Sequence, residues 1–182
     1  MHKVRLPTRE TRIGVTATEQ DHGRQTDSIG LRGIHHACRT VSEMERSLGF
    51  YRDLIGLRVL VDEELAGEGL ERTTGLQGAA LRVVELGLDD ATPYLELLEY
   101  HAPRGAPIDP RPCDAGAHHV CFEVEDIEAA HELLAAAGIG FTHPPQLVAG
   151  GAFAGDRAAY YFDPDGMIVE LWQVAGERRL PR

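Results

Sequence analysis

The chain has 182 residues and a formal net charge of −11, from 29 acidic against 18 basic side chains. That excess argues against nucleic acid or an anionic membrane surface as the main partner, and no run is long and apolar enough to span a bilayer. With 43% apolar residues and only three cysteines, the composition is that of an ordinary globular protein without a disulfide framework, suited to a reducing cytoplasm.

Residues 1–30 are polar, carry scattered charges and lack the apolar stretch of a secretory signal, so they read as a flexible arm. A strand is predicted at 33–41, where Gly33 leads into His35, His36 and Cys38. Ser42-Glu43-Met44-Glu45 fits a capping box, and Met44, Leu48, Tyr51 and Ile55 then recur at helical spacing up to Gly56. Three further strands are expected at about 58–63, 79–86 and 94–100, the last built on Tyr94-Leu95-Glu96-Leu97. A first module thus covers 31–100, and a linker rich in proline and glycine covers 101–115. A second module, 116–175, opens with another strand at 117–124 and a helix carrying Ile127, His131 and Leu134 that stops at Gly138. Strands are expected at 140–142, 158–162 and 167–174, the last two joined by the turn Asp163-Pro164-Asp165-Gly166, before a short tail, 176–182.

The two modules are copies of one unit. Gly33-Ile34-His35-His36-Ala37-Cys38 returns as Gly116-Ala117-His118-His119-Val120-Cys121, and Leu95-Glu96-Leu97 returns as Val169-Glu170-Leu171. A repeat this long predicts two equivalent supersecondary units related by an approximate two-fold axis. Each reads as strand, helix and three strands, an α+β plan in which the sheet face without a helix is free to curl around a cavity. On alternation, His36 shares a face with Cys38 and not with His35, and His119 with Cys121 and not with His118. A carboxylate set in the middle of an apolar strand is costly to bury without a counter-charge, and Glu96 and Glu170 both sit that way. One divalent ion (Ni, Co, Mn, Zn or Fe) supplies that charge, with one histidine of each pair and both glutamates as a mixed N and O ligand set. Cys38 and Cys121 read as packed free thiols, and the segments 62–78 and 146–157 as loops that shape a substrate pocket.

Val41-Ser42-Glu43-Met44 leading to Phe50-Tyr51-Arg52-Asp53-Leu54-Ile55-Gly56-Leu57, together with Leu95-Glu96-Leu97-Leu98-Glu99, Gly116-Ala117-His118-His119-Val120-Cys121-Phe122-Glu123-Val124 and Phe162-Asp163-Pro164-Asp165-Gly166-Met167-Ile168-Val169-Glu170-Leu171, resembles the vicinal oxygen chelate superfamily. That superfamily includes glyoxalase I, methylmalonyl-CoA epimerase, extradiol dioxygenases and bleomycin-resistance proteins. The resemblance covers about residues 31–175. It implies paired βαβββ modules forming a half-open barrel around a metal, a homodimer, and ligands at His36, Glu96, His119 and Glu170. A His-Glu-His-Glu set is similar to that of the isomerase-like members. By that analogy Glu170 acts as base and Glu96 delivers the proton on the other face, through a metal-stabilised enolate or enediolate of a small carbonyl substrate. The implied activity is that of an isomerase, epimerase or lyase. The rivals are a non-haem iron dioxygenase of the extradiol type and a ligand-binding protein without catalysis, like the bleomycin-resistance proteins.

Overall fold

Strict alternation of side chains along a strand assigns one face of each sheet to the interior. On β4 (Leu95–Ala102), Leu95 and Leu97 are fully buried while Glu96 between them is only half-buried. On β8 (Ile168–Gln173), Val169 and Leu171 join the core, and Glu170 lies between them on the other face. The structure, a computed structural model, describes residues 29–89 and 94–176. The expected arm falls outside them except for the exposed Ile29 and Gly30, and so does the tail beyond residue 176.

The first module contains β1 (Ala37–Thr40), α1 (Met44–Leu48), β2 (Arg58–Ala66), α2 (Glu68–Thr74), β3 (Ala80–Gly87) and β4. Its strands lie in the order β1-β4-β3-β2, with β1 parallel to β4 and the other pairs antiparallel. The second module contains β5 (Val120–Glu123), α3 (Ile127–Ala136), β6 (Gln146–Leu147), β7 (Arg157–Phe162) and β8, in the order β5-β8-β7-β6. The parallel first-to-last pairing recurs between β5 and β8. The fold is therefore mixed α+β, with two four-stranded mixed sheets, and among the described residues no barrel closes.

One apolar cluster serves both modules. Met44, Leu48 and Tyr51 from the first helical segment meet Leu95 and Leu97 of the first sheet and Ile127, Leu134, Tyr161 and Val169 of the second module. Each such fully buried side chain is worth about 1.5–3 kcal/mol relative to exposure. A polar clamp reinforces the joint. Buried Arg39 donates from Nη1 to Asp163 Oδ2 at 2.9 Å and from Nη2 to the Ile168 carbonyl at 3.2 Å, and Tyr51 Oη donates to Asp163 at 2.7 Å. Burial pushes the Tyr51 phenol up, the Asp163 charge adds to the rise, and Arg39 opposes it. Nearer the surface, the backbone N–H and hydroxyl of Ser42, and Arg46, all bond Asp165 in the same turn.

That turn explains why the expected capping box is not used. Ser42 is committed to Asp165, so Glu43 caps α1 by accepting from the N–H groups of Glu45 and Arg46, and Glu45 pairs with Arg82. The helix expected through Ile55 is α-helical only to Leu48 and continues as a π-helical segment, Gly49–Leu54, that keeps Phe50 and Tyr51 buried. Between β2 and β3 the expected loop holds α2, which ends on Gly75 in the left-handed region at φ 70°. The strand expected at 140–142 is reduced to a single bridge between Phe141 and Tyr161, and the edge of the second sheet forms instead at Gln146 and Leu147. β4 runs on through Ala102, past the expected start of the linker.

Candidate metal centre

In the first module β4 lies between β1 and β3, and both neighbours place a side chain opposite Glu96: Cys38 from β1 and Glu85 from β3. Residues directly opposite share a sheet face, so all three leave on the side away from Leu95 and Leu97. His36, just ahead of β1, brings Nε2 to 3.6 Å from Glu96 Oε2. Donor atoms of His36, Glu85 and Glu96 all lie within 4.8 Å of one another, the one such grouping of three or more His, Cys, Asp or Glu among the described residues. His35 is exposed and meets its neighbour ring to ring, Nδ1 to Nδ1, at 2.8 Å.

The second module repeats the plan with one change. β8 sets Glu170 opposite Cys121 on β5 and opposite Tyr160 on β7. His119 Nε2 is 3.0 Å from Glu170 Oε2, and the His119 and Tyr160 rings lie 5.4 Å apart. Glu170 is 8% exposed, whereas the His119 side chain is 40% exposed. Desolvation, with the Glu170 charge adding to it, raises the Tyr160 phenol. His118 instead borders a hollow of about 400 Å³ beside β1, together with Cys38, Thr40, Tyr100 and Arg104. Another, open hollow of about 280 Å³ adjoins Tyr160 and Glu170 and is bordered by Thr142, His143 and Gln146. An apolar hollow lined by Leu54, Val120, Phe122 and Leu134 contains none of the four expected ligands.

The structure thus pairs His36 with Glu96 and His119 with Glu170, and the two pairs do not converge into one group within the chain. The shared core gives the reason. Both sheets turn their leucine and valine faces into it, so both carboxylates exit on the opposite faces. Both cysteines are exposed as residues, yet desolvation of the sulfur, together with the adjoining Glu96 or Glu170, pushes each thiol up to about 12. In the metal-free protein at neutral pH both are therefore uncharged thiols that hydrogen-bond the adjoining carboxylates.

The donor set fits a divalent cation. Glu85 and Glu96 face each other as half-buried like charges, an unfavourable cross-strand pair, and no lysine or arginine among the described residues forms an ion pair with either. One imidazole and two carboxylates on one face suit a borderline or hard first-row ion. Glu85 escapes a reading of the sequence because its neighbours Val84 and Leu86 are core residues and its place opposite Glu96 follows from hairpin register. The signal that finds it is the same pattern that marks Glu96, one acid in an apolar strand. Arg39, a cationic side chain close to the site in sequence, is held by Asp163 and faces the core.

Comparison with known proteins gives a consistent picture. Residues 33–171 match the Glyoxalase/Bleomycin resistance protein/Dioxygenase superfamily. A 2-epi-5-epi-valiolone epimerase from an Actinomyces species is 34% identical over 146 residues, which cover 78% of this chain and 79% of that one. The lactoylglutathione lyase of Haemophilus influenzae is 28% identical over 139 residues, covering 76% and 90%. The crystal structure of a glyoxalase family protein from Bacillus cereus shares the fold, with a TM-score of 0.68 at 21% identity, covering 83% of this chain and 99% of that one.

Proposed function

Because this chain belongs to the Glyoxalase/Bleomycin resistance protein/Dioxygenase superfamily, we propose that it is a divalent-metal-dependent epimerase or related isomerase of a small oxygenated ketone. The observation that carries this reading is the recurrence, in both modules, of a histidine within 3.6 Å or less of a strand glutamate on the sheet face turned away from the core. Relatives with named activities are an epimerase and a lyase, which favours proton transfer over oxygen chemistry or ligand sequestration. The substrate class follows the actinomycete relative: a ketone of the valiolone kind.

His36, Glu96, His119 and Glu170 would hold a divalent ion, which when bound would supply Lewis-acid polarisation of the substrate carbonyl and so acidify the neighbouring C–H. Glu170, buried and 3.0 Å from His119 Nε2, takes the proton on one face, and Glu96 returns one on the other. Positioned acid–base groups of this kind contribute about 10²- to 10⁴-fold. The hollow beside Tyr160 and Glu170 receives the substrate, and Gln146 and His143 on its rim meet the hydroxyl groups. Since each chain presents its two ligand pairs on separate sheet faces, the four ligands close between two copies, the first module of one facing the second module of the other in a homodimer with isologous contacts.

Elemental analysis together with solvent-deuterium exchange tests the reading. About one equivalent of metal per chain and exchange at the carbon beside the carbonyl of a valiolone-type ketone are expected. A protein that takes up no first-row divalent ion after reconstitution would sink it. The shared site has its own test: inactive His36→Ala and His119→Ala chains, unfolded and refolded together, form a mixed dimer with one intact site and regain activity, whereas sites confined within single chains would give none back.

A further inference from the structure

We infer that Glu85 is a third protein ligand in the first module, which makes the two halves of the metal site unequal. The inference rests on the metal-dependent reading above and deepens it. Glu85 projects from the centre of β3, in register with Glu96 on β4, and both side chains are half-buried on the face that carries His36. Two carboxylates at directly opposed positions repel, and partial burial weakens the screening that water would provide. His36 is the basic side chain paired with the cluster among the described residues, and one imidazole is not enough to balance two carboxylates. A divalent ion between the three groups removes that cost.

The repeat makes the point sharper. Opposite Glu170 the second module has Tyr160, a neutral phenol, where the first has Glu85 opposite Glu96. The acid at this strand position is therefore not demanded by the backbone plan, since the same plan folds with a tyrosine there. A further carboxylate oxygen also hardens the ligand set and shifts its preference toward Mn and Co relative to softer ions. With His36, Glu85 and Glu96 holding the ion from one module, Glu170 is not needed to retain it and is free to move a proton.

The test uses the full-length protein and two metal ions. Chelator-stripped wild type, Glu85→Gln and Tyr160→Phe are titrated with Mn(II) by calorimetry, and their Co(II) absorption bands are recorded. Glu85→Gln is expected to lose at least about 10- to 100-fold in Mn(II) affinity and to change its Co(II) spectrum, while Tyr160→Phe keeps both. The stripped Glu85→Gln protein is expected to melt no lower than stripped wild type, because one of two opposed charges is gone. If Glu85→Gln folds poorly, Glu85→Asp, which keeps the charge on a shorter arm, is expected to show the same weakening. Wild-type affinity and spectrum in a folded Glu85 variant would overturn this inference alone, and failure of the wild type to bind either ion would overturn the metal-dependent reading with it.

Discussion

The two modules share a scaffold and differ in how they use it. Both pair a first strand parallel with a last strand, both place a histidine ahead of the former and a glutamate on the latter, and both set a cysteine opposite that glutamate. They part at the third strand, where Glu85 answers Tyr160, and at the joint between modules. There the first strand contributes buried Arg39, clamped to Asp163, whereas the matching residue of the second is Phe122, which borders an apolar hollow with Leu54, Leu88 and Tyr94. The lesson is that the duplicated backbone fixes where a strand glutamate and its histidine meet, while the residue beside them and the glue between copies are free to diverge.

Removing a ligand is the harshest way to break that comparison. His36→Ala and His119→Ala are each expected to abolish stoichiometric metal by elemental analysis, and His35→Ala to keep at least part of it. Equal loss in all three would mean that the inner histidine of each pair has no special place. Next in size is Glu170→Gln, expected to lower turnover about 10²- to 10⁴-fold with an unchanged circular dichroism spectrum. Full turnover in that variant would remove Glu170 from proton transfer.

The joints come next. Arg39→Met leaves Asp163 buried without its cation, which is expected to cost about 3–5 kcal/mol in urea unfolding. Half-buried Phe122→Ala is expected to cost ~2 kcal/mol, roughly half the value for a fully buried phenylalanine. Equal costs would show that the two joints are energetically alike. The smallest effect belongs to Tyr161, which stands where the first module has Leu86. Desolvation, helped by the Glu128 charge, pushes its phenol up from the ordinary tyrosine value to about 12. The unfolded chain therefore loses this proton first as pH rises, and the tyrosine's contribution to stability, complete below about pH 10, falls away toward pH 12. Thermal melts of Tyr161→Phe are expected to decline less steeply across that window than those of the wild type.

Much of this was legible in the sequence because repetition multiplies weak signals. A lone histidine in a strand says little, but His36 and His119 at matched places, each with a strand glutamate downstream, pointed to the fold and to two histidine–glutamate pairs that the structure brings within 3.6 Å or less. The rest depended on tertiary partners. Ser42 looks like a cap, yet Asp165 claims it from the other module. Phe141 looks like the start of a strand, yet the second sheet's edge forms later, at Gln146. Glu85 was hidden because nothing local in the chain states which residue of β3 will lie opposite Glu96. That the two histidine–glutamate pairs leave on separate faces follows from a core shared between modules, which local periodicity does not encode.

Because Met44, Leu48 and Tyr51 lie in one cluster with Ile127, Leu134 and Tyr161, each repeat buries part of its apolar surface only against the other. Residues 31–100 expressed alone would present that cluster to water and aggregate. A protease that nicks the exposed connection near Arg104 and Gly105, in contrast, leaves two fragments still held by the buried interface and melting as one. Peptide continuity between the copies is dispensable once the chain has folded, and their companionship is not.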